Sequence, residues 1–159
     1  MKYSKSEILK AIDVAIDSND RSGFEWAATH PACTTEQLDL IASKKKVNLT
    51  TKIKISRHLN ATQEICEKFS KTNSVELCFA IMGNEKFNFE FRKSWLRRNM
   101  ITEYLRHYKR FNTVTKKYNP NYKWEDSYWC KIFRNKLGDM FPFFVEQVNN
   151  FEIVKDIIT

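Results

Sequence analysis

Breaker residues are so scarce in this chain that a helical fold is close to forced. Three glycines (Gly23, Gly83, Gly138) and three prolines (Pro31, Pro120, Pro142) punctuate 159 residues. An all-β domain needs far more turn-forming residues than that. Long intervals between the breakers carry apolar residues at helical spacing. The length suits one domain with one core. With 42% hydrophobic and 14% aromatic residues, the chain has ample material for that core and is not globally disordered.

The first predicted helix runs from Ser4 or Ser6 to Ser18. Ser4 followed three residues later by Glu7 is the capping-box pattern, and Ile8, Leu9, Ile12, Ala15 and Ile16 form the apolar stripe. Turn formers from Asp17 to Gly23 end it. From Phe24 onward the chain repeats itself. A short apolar segment ends in a polar corner and a second helix follows, with corners at Thr29–Thr35, Arg57–Thr62 and Gly83–Asn88. The expected helix caps Thr35, Thr62 and Asn88 are spaced 27 and 26 residues apart, and their side-chain oxygens suit orphan backbone N–H groups. Leu38, Ile65 and Phe91 keep that spacing as core positions, as do Ala42, Phe69 and Trp95. A period of this size marks stacked helical pairs, each unable to bury its apolar face alone.

The run from His30-Pro31-Ala32-Cys33-Thr34-Thr35 through Leu38 to Ser43 resembles the repeat unit of leucine-rich-repeat-variant and related HEAT-like helical proteins. There a short helix ends at an Asn/His-Pro corner and a Leu-bearing helix follows. The resemblance covers about Phe24 to Trp95. Only the first unit carries the Pro; the second has Leu59 and the third Glu85 in its place. It implies a curved helical scaffold that binds macromolecules, with no single activity. The iron–sulfur members of that family carry a clustered cysteine segment, which this chain lacks.

Beyond the repeats, Val75–Met82 is apolar nearly all round and is expected to be the most buried helix. Phe89–Phe111 reads as one long helix, with Phe91, Trp95, Tyr104, Leu105, Tyr108 and Phe111 on an inward side. Asn112–Lys123 reads as a polar, basic loop with a turn at Asn119-Pro120-Asn121. Glu125–Leu137 is helical, with Tyr128, Trp129, Ile132, Phe133 and Leu137 on one side, and Gly138 ends it. Asp139 is placed to cap a last helix holding Pro142, Phe143, Phe144, Val148 and Phe151. The expected fold is therefore all-α: a short helical-repeat stack over residues 1–111 and an aromatic-rich C-terminal helical cap over 112–159, the two forming one compact unit.

Charge then separates one segment from the rest. Arg92 to Lys123 holds ten Lys or Arg and one acid, Glu103, a balance of +9; the remaining 17 bases and 18 acids sum to −1. The same segment carries Trp95, Tyr104, Tyr108, Phe111, Tyr118 and Tyr122. Charge this localised marks a docking surface for something anionic. Arg92, Lys93, Arg97, Arg98, Arg106, Lys109, Arg110, Lys116 and Lys117 are the candidate contacts, with Tyr118, Tyr122 and Trp124 able to stack on unpaired bases. The partner is an acidic protein surface or nucleic acid; the plain alternative is a solvated helix face over core aromatics. The sequence pI of 9.3 meets the usual mark of nucleic-acid binders, but no RNP, GxxG or zinc-finger motif accompanies it.

Enzymatic motifs are absent from the sequence: no GxSxG, P-loop, HExxH or dinucleotide glycine pattern occurs. His30 and His58 fall at one corner position, with Asn84 third, which suits a side chain satisfying backbone groups. Asp13 and Asp17 repel mildly on one helix, and a basic partner nearby would relieve them. Glu103 and Asp126 are the acids nearest the basic segment. Cys33, Cys66, Cys78 and Cys130 are widely and irregularly spaced, which argues against a zinc site and for buried thiols. No cofactor or metal is expected. No run approaches the ~20 apolar residues of a membrane span, and a reducing, cytoplasmic setting is the default. Homodimerisation through the C-terminal aromatics is a further expectation.

The Lys-, Asn-, Phe- and Tyr-rich, Gly- and Pro-poor style is also similar to small accessory proteins of tailed phages. That likeness implies binding to a host factor, often to inhibit it, in the host cytoplasm. The expected function is a non-enzymatic, protein-binding adaptor or inhibitor with a basic helical face; nucleic-acid binding is the alternative.

Overall fold

Helices account for all the regular structure described in the computed structural model, which covers residues 2–72, 74–96, 119–121 and 128–146 (for Tyr128 and Trp129, the backbone only). No strand occurs among the described residues. Chain contacts separate two units, Met1–Phe87 and Asn88–Thr159. The boundary expected after residue 111 lies outside the described residues.

In the first unit, α1 (Lys5–Asp17) starts at the expected capping box: Ser4 Oγ accepts from the Glu7 N–H, and Glu7 Oε2 accepts from the Ser4 N–H. It ends where Asn19 takes the left-handed conformation at φ 53°, which asparagine tolerates. Next come α2 (Arg21–Thr29), α3 (Thr35–Ala42), α4 (Leu49–Arg57), α5 (Gln63–Glu67) and α6 (Val75–Met82). Helices α2, α4 and α6 pack in that order, with α4 in the middle; α3 packs on α5, and α1 lies on α2 and α3. Gly23 is required at the α1–α2 crossing, since a Cβ there would sit 2.7 Å from the Ala15 carbonyl oxygen. Ile12, Phe24, Leu38, Ile41, Ile55, Phe69 and Ile81 fill the core, and every residue from Leu77 to Met82 is buried, as the apolar run of α6 predicts.

The helix caps keep one rhythm. Asp20, Asn48 and Ser74 precede α2, α4 and α6; Thr34 and Thr62 precede α3 and α5; Asn88 precedes α7 (Phe89–Trp95) of the second unit. Both series step by 28 and then 26 residues. The first cap of the second series is Thr34, not Thr35. Gln37 sits three residues after Thr34 and closes a capping box with it, while Thr35 Oγ1 donates instead to the Asn60 carbonyl (2.8 Å). Phe91 is only half-buried, unlike its repeat equivalents Leu38 and Ile65.

The second unit contains α7, α8 (Tyr128–Leu137) and a 3-10 turn at Gly138–Met140, with helix again at 141–146. Gly138 holds φ +51° where α8 stops, a backbone state that favours glycine. Trp95, Phe133, Leu137, Met140 and Phe144 are buried, and the Phe133 and Phe144 rings stack at 5.2 Å. Asn119-Pro120-Asn121 forms an exposed turn. Continuation of α7 beyond Leu96, most of the predicted loop at 112–123, and Val148 and Phe151 lie outside the described residues.

Candidate functional site

Helix α7 carries the first two residues of the basic segment, and it uses them differently. Arg92 turns inward and is 5% exposed. Its guanidinium forks onto Asp139, Nη1 to Oδ1 at 2.9 Å and Nη2 to Oδ2 at 3.0 Å. This bidentate geometry is the strongest form of such a pair. Asp139 therefore binds Arg92 across the unit rather than serving as the helix cap expected from sequence. The guanidinium also lies 5.5 Å from the Phe89 ring centroid.

Lys93 is held differently. Its Nζ sits 4.7 Å from the Phe89 centroid and 4.8 Å from that of Phe143, and 3.3 Å from Glu90 Oε1. The two rings meet edge to face at 6.4 Å, and Phe89 is 40% exposed. An ammonium held over two rings keeps its stem on apolar surface and its head towards water. Phe89 and Phe143 join this cluster although the sequence marks neither as a contact. Phe143 lies fifty residues from Lys93, and no local pattern links them. Arg97, Arg98, Arg106, Lys109, Arg110, Lys116, Lys117, Tyr118, Tyr122 and Trp124 lie outside the described residues, as do Glu103 and Asp126.

Several cations of the first unit are tied down between helices. Lys54 Nζ reaches Glu25 at 2.7 Å, joining α4 to α2, and Lys68 Nζ reaches Asp39 at 2.6 Å. Lys52 donates to Thr72 Oγ1, and Lys86 to the Leu59 carbonyl. Asp13 accepts from Gln37 Nε2 (2.9 Å), so a buried amide, not a cation, meets this acid of the Asp13–Asp17 pair.

The three corner residues share one role, as their sequence position suggests. His30 Nδ1 accepts from the Ala32 N–H (3.1 Å), His58 Nδ1 from the Asn60 N–H (3.0 Å), and Asn84 Oδ1 from the Lys86 N–H (3.2 Å). The other end of two of these side chains reaches back one repeat. His58 Nε2–H donates to the His30 carbonyl (2.8 Å) and Asn84 Nδ2 to the Ser56 carbonyl (3.0 Å). Both acceptors lie at the C-terminal end of the preceding helix in the α2–α4–α6 layer. His30 instead lines a pocket of about 740 Å³ together with Lys2, Tyr3, Glu7, Ile8, Ala11 and Trp26.

All four cysteines are buried. Burial first, and the nearby Asp13 charge second, push the Cys33 thiol up to about 11. Burial pushes Cys66 up to about 12, against the lowering effect of its hydrogen bond with Ser56. Such thiols are poor nucleophiles. Among the described residues, no three His, Cys, Asp or Glu side chains gather as a metal site, and no helix is long and apolar enough to cross a membrane. No protein-family model, curated protein or solved structure matches the chain.

Proposed function

We propose that this chain is a non-enzymatic binding protein. In this reading, the chain is a short helical-repeat scaffold with an aromatic-rich C-terminal helical cap. The basic residues from Lys93 onward dock on the acidic surface of a partner protein, as an adaptor or inhibitor. One observation carries the reading: ten bases face a single acid between Arg92 and Lys123, while the rest of the chain is near neutral. Lysines of the first unit find acids on neighbouring helices. The 92–123 segment has no such supply of its own, so its countercharge comes from elsewhere. Arg92 and Lys93 are exceptions, because Asp139 holds the first and Glu90 meets the second. The stylistic likeness to phage accessory proteins makes a host factor the natural target.

Affinity capture from cell extract, with and without nuclease, tests this. A stoichiometric protein partner should survive nuclease and be lost on charge reversal at Arg97, Arg98 or Arg106. The interleaved aromatics of the same segment support a second reading, in which nucleic acid is the partner. That reading requires a mobility shift at low salt and an affinity falling steeply with added salt, through counterion release.

A further inference from the structure

Within the first unit, α2 is the end member of the layer that continues through α4 and α6. We propose that its outer side is a docking site for an amphipathic helix of a partner protein, whose last carbonyl is received by His30 Nε2–H. The inference rests on the repeat reading above, because the repeat itself shows what such a site holds. At the second corner, the donor of His58 caps the C-terminal end of α2. At the third, the donor of Asn84 caps the last turn of α4. His30 is arranged in the same way: its Nδ1 accepts from Ala32, which leaves the proton of the neutral ring on Nε2. Among the described residues no acceptor meets that Nε2; α1 packs on α2, and only the corner beside the N-terminal half of α1 is left open as the pocket.

The surface around it is made for a helix face. Trp26 is 47% exposed and Tyr3 71%, and Ile8 and Ala11 complete an apolar wall on α1. About 740 Å³ admits the side chains of one helix face. Lys2 lines the same pocket, and a cation there complements the negative end of a helix dipole. The occupants of the inner positions, α2 and α4, are each 9 residues long, so two to three turns suffice.

The test titrates the isotope-labelled full chain with an acetylated, amidated peptide bearing the sequence of residues 20–32, read by amide NMR. Saturable shifts confined to residues 2–11 and 26–32 are expected. Trp26→Ala and His30→Ala should each weaken binding about tenfold, as truncation of an interface anchor does, and Lys93→Glu should leave it unchanged. Trp26→Arg reads the same site without touching the corner, should His30→Ala disturb folding. Absence of shifts, or shifts elsewhere, would overturn the proposal. So would a concentration-dependent dimer dispersed by Trp26→Arg, since the occupant would then be a second copy. The affinity capture described above separates this site from the basic segment. Partner capture that survives Arg97→Glu but is lost with Trp26→Arg would overturn the basic-segment reading and support this site. Partner capture lost with Arg97→Glu, without peptide binding to the wild-type chain, would overturn this site and support the basic segment.

Discussion

His58 and Asn84 perform one task with different chemistry, and the comparison makes the task measurable. Each accepts a backbone N–H two residues on and donates to a carbonyl in the preceding repeat. His58 is buried, so His58→Ala leaves the Asn60 N–H without its acceptor and takes one of two donors from the His30 carbonyl, which keeps the Cys33 N–H, and should cost about 2 kcal/mol. His58→Asn, copying the third corner, should cost less than about 1 kcal/mol; urea unfolding of the two variants checks the difference. The thiols give a pH signature. Unfolded cysteine ionises near ~8.5, whereas folded Cys33 and Cys66 hold their protons to about 11 and 12. Their contribution to stability is therefore complete below about pH 8.5 and is lost as pH climbs towards the folded values. Each thiol should add a downward slope of up to about 1.4 kcal/mol per pH unit between roughly pH 9 and 10.5. Cys66→Ala should flatten the measured slope relative to wild type.

At the scale of elements, α7 depends on a residue far along the chain. Asp139→Ala removes the bidentate partner of the buried Arg92 guanidinium and should cost about 2 kcal/mol, below the value for a fully enclosed pair because Asp139 is 49% solvent-accessible on its side chain. Replacing both, as Arg92→Met with Asp139→Ala, should recover most of that loss; thermal unfolding of the single and double variants measures the coupling. This pair also shows where sequence reading stops. Helices, caps and corner residues are legible because their determinants lie within a few residues of each other: Ser4 with Glu7, His58 with Asn60. The cap at Thr34 falls one residue before the expected Thr35, since two adjacent threonines can both cap and the choice belongs to Asn60, in the next corner. Arg92 reads as a surface cation because its partner lies 47 residues on. The Lys93 cluster is hidden for the same reason, as one of its two rings comes from Phe143.

For the whole molecule, the separation of charge predicts a separation of effects. Charge reversal at Arg97 and Arg98 should weaken partner capture at least about tenfold while leaving the unfolding midpoint of the first unit in place. Reversal of Lys54, paired to Glu25 at partial exposure, should change capture little and stability by under about 1 kcal/mol. A filter-binding or surface-capture series at several salt concentrations, with thermal melts alongside, reads both. The tight crossing at Gly23 has its own consequence. One added methyl would meet the Ala15 carbonyl and act as a wedge between the leading helix and its neighbour. Gly23→Ala should therefore lift α1 and cost about 1–3 kcal/mol. Faster hydrogen exchange confined to α1 and α3 would report it, because Gln37 parts from Leu9 and Asp13 as the helix leaves. At that crossing, how closely the leading helix can seat is set by one missing side chain.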